Sequence, residues 1–142
     1  MKQAVPCPCG GASPGSGNAH VKRPPDYAQC CGRFIEGGAA PGNAMELMRS
    51  RYTAYVLGNT AYLRASWAER TCPSDLQTSA DPATRWLGLQ IKRHTPRDAD
   101  HAEVEFVARY KLGGRAFRLH ETSRFERDAA GRWCYVDGDL RD

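Results

Sequence analysis

No apolar run in these 142 residues approaches the roughly 18 that a helical membrane span needs. Charge of one sign is also scarce, since 20 Lys and Arg against 16 Asp and Glu leave only +4. Lys22-Arg23 is the only basic pair near the start, too little to track a phosphate backbone, and sequence-specific nucleic-acid binding is not expected. Lys2 is followed at once by Pro6, Cys7 and Pro8, not by an apolar stretch, so no export signal is read. That absence predicts a cytoplasmic location, where reduced cysteines serve metal binding or catalysis more often than disulfides. There is no CxxC, which removes the usual zinc-finger and thioredoxin readings, and no internal repeat.

What is present is clustered. Four of the six cysteines fall in the first 31 residues, as Cys7-Pro-Cys9-Gly10 and Tyr27-Ala-Gln-Cys30-Cys31-Gly32. Thiolates suit a tetrahedral ion with metal–sulfur bonds of about 2.3 Å, and two close pairs can enclose one ion. The surrounding arm, with Gly10, Gly11, Gly15, Gly17, Pro14, Pro24 and Pro25, has too few apolar side chains to order itself. Cys7, Cys9, Cys30 and Cys31 are therefore the expected metal ligands, with His20 as a competing donor and four inert thiols as the plain alternative. Zinc is the first choice and iron the second, because ligand type alone does not separate them.

Downstream the pattern becomes helical and then alternating. Asn43 and Glu46 have capping-box spacing before Met45, Met48, Tyr52, Tyr55 and Val56, and Asn59 opens a second helix carrying Tyr62, Leu63 and Trp67. Residues 69–84 read as a loop, including Asp75, Ser79 and Asp81-Pro82. Arg85 to Arg93 reads as a strand with Leu87, Leu89 and Ile91 on one side. Val104, Phe106, Ala108 and Tyr110 alternate with polar neighbours, Gly113-Gly114 turns the chain, and Phe117, Leu119, Glu121, Ser123 and Phe125 share the next strand's apolar face. A third strand carries Trp133, Tyr135 and Asp137. The expected fold is α+β, with helices packed on a curved antiparallel sheet that leaves a cavity. A chain of this length buries roughly 70% of its unfolded surface.

Two resemblances attach to these residues. The spacing of Cys7-Pro-Cys9-Gly10 and Tyr27-x-x-Cys30-Cys31-Gly32 resembles a SEC-C motif, the knuckle also found at the end of the SecA translocase. Twenty residues, Gly10 to Gln29, separate the inner ligands here, against eight in that family. Closing the longer loop costs only about 0.8 kcal/mol more, small beside the ~10–16 kcal/mol of structural zinc binding. Leu47 to Tyr55, Ala61 to Trp67, Trp86 to Leu89, Phe106 to Arg109, Glu121 to Phe125 and Trp133 to Gly138 resemble the YchJ-like family. That likeness implies a knuckle at 1–36 joined to a cone at 37–142 similar to nuclear transport factor 2, a fold shared with ketosteroid isomerases and dehydratases. Some relatives carry a second SEC-C motif, which these residues do not contain. Relatives often have His after the Trp67 position, where Ala68 stands here.

Two functions follow as expectations. The first is a metal-stapled binding or adaptor module, whose knuckle by resemblance contacts a SecB-like chaperone or the ribosome. The second is an isomerase- or dehydratase-type enzyme using Glu121 or Asp137, with a small ligand in the cone. Glu121 on an apolar face predicts a pocket with Arg51, Tyr52 and Trp67, in which Arg51 or the hydroxyls of Tyr52 and Tyr55 partner the acid. Arg49 and Arg51 are otherwise expected to leave the core. His120 points to the opposite face of its strand, so a His120–Glu121 dyad is not expected. Cys72 and Cys134 read as packed thiols.

Overall fold

Strand pairing is set by two tight turns. Gly113 and Gly114 take φ +60° and +82°, the left-handed pair that a two-residue hairpin turn requires and that glycine adopts without strain. They join β2 (His101–Leu112) to β3 (Arg115–Arg127), with Leu112 opposite Arg115. Asp128 Oδ1 accepts the Ala130 and Arg132 N–H groups, each at 2.9 Å, and turns the chain into β4 (Trp133–Leu140). β1 (Thr84–Pro96) pairs with β2, giving an open antiparallel sheet in the order β1-β2-β3-β4. In this computed structural model residues 5–14, 24–74, 76 and 84–141 are described. His20, Gly15, Gly17, Lys2, the Lys22-Arg23 pair, Asp75, Ser79 and Asp81-Pro82 lie outside the described residues.

Helices cover one face of the sheet. α1 (Gly32–Ile35) follows the second cysteine pair, α2 (Ala44–Leu57) crosses the sheet, and α3 (Thr60–Ala65) returns. Asn43 Oδ1 accepts the Glu46 N–H at 2.8 Å, while the Glu46 carboxylate accepts the Gly42 N–H, one residue beyond a standard capping box. Asn59 caps α3 through the Tyr62 N–H at 3.0 Å. Leu47, Met48 and Tyr52 of α2 bury against Ile91, Val104, Phe106, Ala108 and Phe125. Each such large side chain contributes about 1.5–3 kcal/mol on burial. Among the described residues no helix is long and apolar enough to cross a membrane.

Bulges change which residues face inward. Register shifts between Trp86 and Gly88 and between Ile91 and Arg93 break the alternation of β1. Leu87, expected beside Leu89 and Ile91, is the extra residue of the first bulge and is 49% exposed, while Trp86 turns in. A further shift between Arg124 and Phe125 sets Tyr135 opposite Phe125 and Asp137 opposite Arg124. Asp137 therefore points outward, 2.6 Å from Arg124, and is no candidate acid for the cone. Phe117 also departs from expectation: near the hairpin end it is exposed and stacks on Tyr110. Trp67 lies just past α3, not on it, in a single bridge to Tyr135, where Ala68 N–H donates to Tyr135 O and Tyr135 N–H to Ser66 O.

Candidate metal centre and cone pocket

A short antiparallel contact brings the two cysteine pairs together. Cys7 N–H donates to Pro25 O at 2.8 Å and Tyr27 N–H to Val5 O at 2.7 Å. Gly32, directly after Cys31, has no room for a side chain, because a Cβ would sit 2.7 Å from Tyr27 O. The four Sγ atoms of Cys7, Cys9, Cys30 and Cys31 lie within 4.8 Å of one another, and all four residues are buried. Cys9 and Cys30 sulfurs are 3.5 Å apart, far beyond the ~2.05 Å of a disulfide. A tetrahedral ion with bonds of about 2.3 Å spaces its sulfurs about 3.8 Å apart, so the cluster fits such an ion.

Electrostatics around the cluster favour a cation. Hydrogen bonds from the Cys31 and Cys9 thiols hold Cys7 well below the ordinary thiol value. The same bond to Cys7 pushes Cys31 far up. Cys9 receives a bond from Cys31, but its own bond to Cys7 and its burial push it up to about 12. Without an ion Cys9 and Cys31 resist carrying negative charge beside Cys7, and a divalent ion would remove that resistance. Gly11 N–H donates to Cys9 Sγ at 3.3 Å. Arg49, expected to leave the core, instead reaches toward Cys30 Sγ (3.9 Å), and its buried Nε has no hydrogen-bond partner among the described residues. A divalent ion on four thiolates carries net negative charge, which matches that guanidinium.

The knuckle is not detached from the cone. Cys7, Cys9, Ala12, Cys30 and Cys31 belong to the same buried cluster as Ala44, Leu47, Met48 and Tyr52. Cys7 Sγ also lies 3.8 Å from Thr53 Oγ1 of α2. The buried core is therefore continuous across the expected boundary at 36/37.

Arg51, Tyr52, Trp67 and Glu121 line a second feature, a cavity of about 270 Å³ between α2 and the sheet. Tyr55, Trp86, Phe106 and Tyr135 complete its aromatic wall. Glu121 does not pair with Arg51 or with Tyr52 or Tyr55. Its Oε1 accepts from Ser123 Oγ at 2.6 Å and from the Tyr135 hydroxyl at 3.1 Å. Burial pushes the Tyr52 hydroxyl up to about 12, against a backbone hydrogen bond with Gly88. Arg51 is only 3% exposed. Its Nη1 donates to Leu63 O and to Ser66 Oγ, and its Cζ sits 4.8 Å from the Trp67 ring and 4.5 Å from the Tyr135 ring. Trp86 reaches the pocket because the bulge at Leu87 breaks the alternation of β1, and Tyr135 holds the inner face of β4 just before the shift that turns Asp137 out. On the opposite face His120 Nε2 lies 2.7 Å from Glu105, another pair that alternation does not reveal. Cys134 is buried and burial raises its thiol, while Cys72 is half-buried.

Comparison with known proteins agrees with this architecture. The YchJ middle NTF2-like domain matches residues 43–138. A UPF0225 protein of Ralstonia nicotianae is 58% identical over 94% of this chain and 90% of its own. Another from Cupriavidus metallidurans is 56% identical over 97% and 91%. The solution structure of a SEC-C motif containing protein from Rhodopseudomonas palustris superposes with a TM-score of 0.74 at 27% identity, covering 83% of this chain and 94% of that one. A SEC-C motif containing protein from Psychrobacter arcticus gives a TM-score of 0.77 at 27% identity over 96% and 83%. With cysteine pairs packed against α2, three helices on an open four-stranded sheet, and these matches, the chain belongs to the YchJ-like, NTF2-like family.

Proposed function

We propose that this protein is a metal-stapled binding and adaptor module of the cytoplasm. One zinc ion on Cys7, Cys9, Cys30 and Cys31 orders the N-terminal knuckle as a surface for a protein partner. The observation that carries this reading is the closed set of four buried sulfurs. When four protein ligands fill a tetrahedral ion, no position is left for substrate, and the metal serves structure. Resemblance to SEC-C knuckles makes a SecB-like chaperone and the ribosome the first partners to test. Elemental analysis of purified protein should find about one zinc per chain, as four thiolates around one tetrahedral ion require, with iron as the competing outcome. Pull-down from lysate with and without chelator should show a partner lost on metal removal, and Cys30→Ser should lose the same partner. A metal-free preparation whose N-terminal segment melts unchanged would sink the reading.

A second reading is kept by one observation, a carboxylate facing an aromatic cavity. Arg51, Tyr52, Trp67 and Glu121 are proposed as its ligand-contacting residues, and Glu121 as the single acid for isomerase- or dehydratase-type chemistry. Turnover of small ketones or hydroxy compounds by the unaltered chain, absent in Glu121→Gln, is the expected signature of that chemistry. If no small ketone or hydroxy compound turns over, the enzymatic reading fails.

A further inference from the structure

Arg51 poses a charge problem that the fold leaves open. Its Nη1 is held by two neutral acceptors, Leu63 O at 2.9 Å and Ser66 Oγ at 2.7 Å, and its guanidinium is flanked by the Trp67 and Tyr135 rings. Among the described residues no carboxylate forms an ion pair with it. Within the described residues the cation is oriented but not neutralised, and burying such a charge is costly. Desolvation lowers its pKa accordingly. It lines the aromatic cavity, so an anion delivered there would meet a donor already in place.

A bare anion does not match the rest of the site. Glu121 stands on the same cavity and repels a second negative charge. Tyr135 borders both groups: Arg51 Cζ sits over the face of its ring, 4.5 Å from the centroid, and its hydroxyl is 3.1 Å from Glu121 Oε1. Cation and acceptor therefore flank one ring without touching, where a small ligand can reach both. Both donors to Glu121, Ser123 and Tyr135, fall on the same oxygen. A volume of about 270 Å³ is just below the ~300–1,000 Å³ of drug-sized ligand sites. The occupant is therefore smaller than a drug-sized ligand, and one substituted ring fits.

We propose that the cone binds a hydroxylated aromatic monocarboxylic acid. Its carboxylate pairs with Arg51, its ring packs on Tyr135 and Trp86, and its hydroxyl donates to Glu121. This goes beyond the metal-stapled reading and does not depend on it.

Calorimetric titration of the metal-loaded full chain tests it with three probes: 4-hydroxyphenylacetate, phenylacetate and 4-hydroxyphenylacetamide. The hydroxy acid should bind one per chain. Phenylacetate should bind roughly tenfold more weakly, the worth of one hydrogen bond to a charged acceptor. The amide, which cannot pair with Arg51, should bind roughly tenfold more weakly still or not at all. Glu121→Gln should cut the preference between the two acids to about threefold, because a neutral acceptor bonds about half as strongly. Arg51→Met should lose both acids; if it does not fold, the acid-against-amide comparison in the unaltered chain decides the role of the charge. Equal binding of acid and amide overturns the proposal. So does an undiminished preference in Glu121→Gln, or no saturable binding of the hydroxy acid. None of these results changes metal content or chelator-sensitive partner capture, so this proposal and the metal-stapled reading fail separately.

Discussion

Gly138 shows how one missing side chain positions another. A Cβ there would meet Glu121 Oε1 at 2.1 Å and Glu121 Cδ at 2.6 Å, so the acid occupies the space the glycine leaves. Gly138→Ala should swing the carboxylate away from Ser123 and Tyr135 and cost about 1–3 kcal/mol, the range for a buried hydrogen-bonding group left without its partners. Urea denaturation measures the loss. In a Glu121→Ala background the same substitution should be nearly silent, because the collision has no second party. An equal cost in both backgrounds would remove the steric account. Arg51 makes a related point, since its type and spacing suggested either a solvated charge or a partner for Glu121. Neither reading foresaw a guanidinium flanked by two aromatic rings, because the ring of Tyr135 comes from a strand some eighty residues later.

At the level of elements, local signals were legible where the chain bonds to its near neighbours. Asn43 with Glu46, Asn59 with Tyr62, and the Gly113-Gly114 turn all occur where the sequence places them. Asn43→Ala should cost about 1 kcal/mol, visible as a lower urea midpoint with an unchanged slope. A changed slope would mean that the cap does more than hold the first turn of α2. Bulges were not legible. An extra residue in β1 or β4 leaves no composition mark, yet each one exchanges the inner and outer faces beyond it. That exchange moves Leu87 and Asp137 to the surface and brings Trp86 to the cavity, while Tyr135, just before the β4 shift, keeps its inward face.

For the molecule as a whole, the shared core sets what metal loss should do. Chelation should release residues 5–14 and 24–35 and weaken the first half of α2, where Leu47 and Met48 pack with the cysteines. The β2–β3 pairing should stay protected, because Val104, Phe106 and Phe125 bury against α2 and one another. Hydrogen exchange mass spectrometry reads both regions at once. Loss of protection throughout the sheet would make the metal a condition for the entire fold.

Acid should destabilise the whole molecule in a defined window. Hydrogen bonds from Arg97, His120 and Arg70 lower Glu103, Glu105 and Glu126 below their ordinary 4.5. Lowered folded-state values mean that the unfolded chain binds protons first, so this stability is present above about 4.5 and fades as pH falls through the folded values. His94, lowered by burial, acts in the same sense from about 6.5 downward. His101, raised by Asp98, acts oppositely and loses its contribution as pH rises above 6.5. The carboxylates outnumber the opposing histidine, so the melting temperature should fall steadily below about pH 4.5, less steeply at high salt because the Arg97–Glu103 and Arg70–Glu126 pairs are exposed. A flat profile down to pH 3 would show that these pairs add nothing.

By itself the sequence determined the α+β order of elements, the caps, the turns and the grouping of four thiols, because each rests on short-range bonding or on hydrophobic period. The cysteine pairs were readable despite the long insertion, since loop closure grows only logarithmically with length. Tertiary structure alone decided which faces turn inward past the bulges, that the knuckle joins the main core, and that Arg51 and Glu121 take other partners than each other. Those outcomes depend on contacts between residues far apart in the chain, where packing and register, not local preference, choose the neighbour.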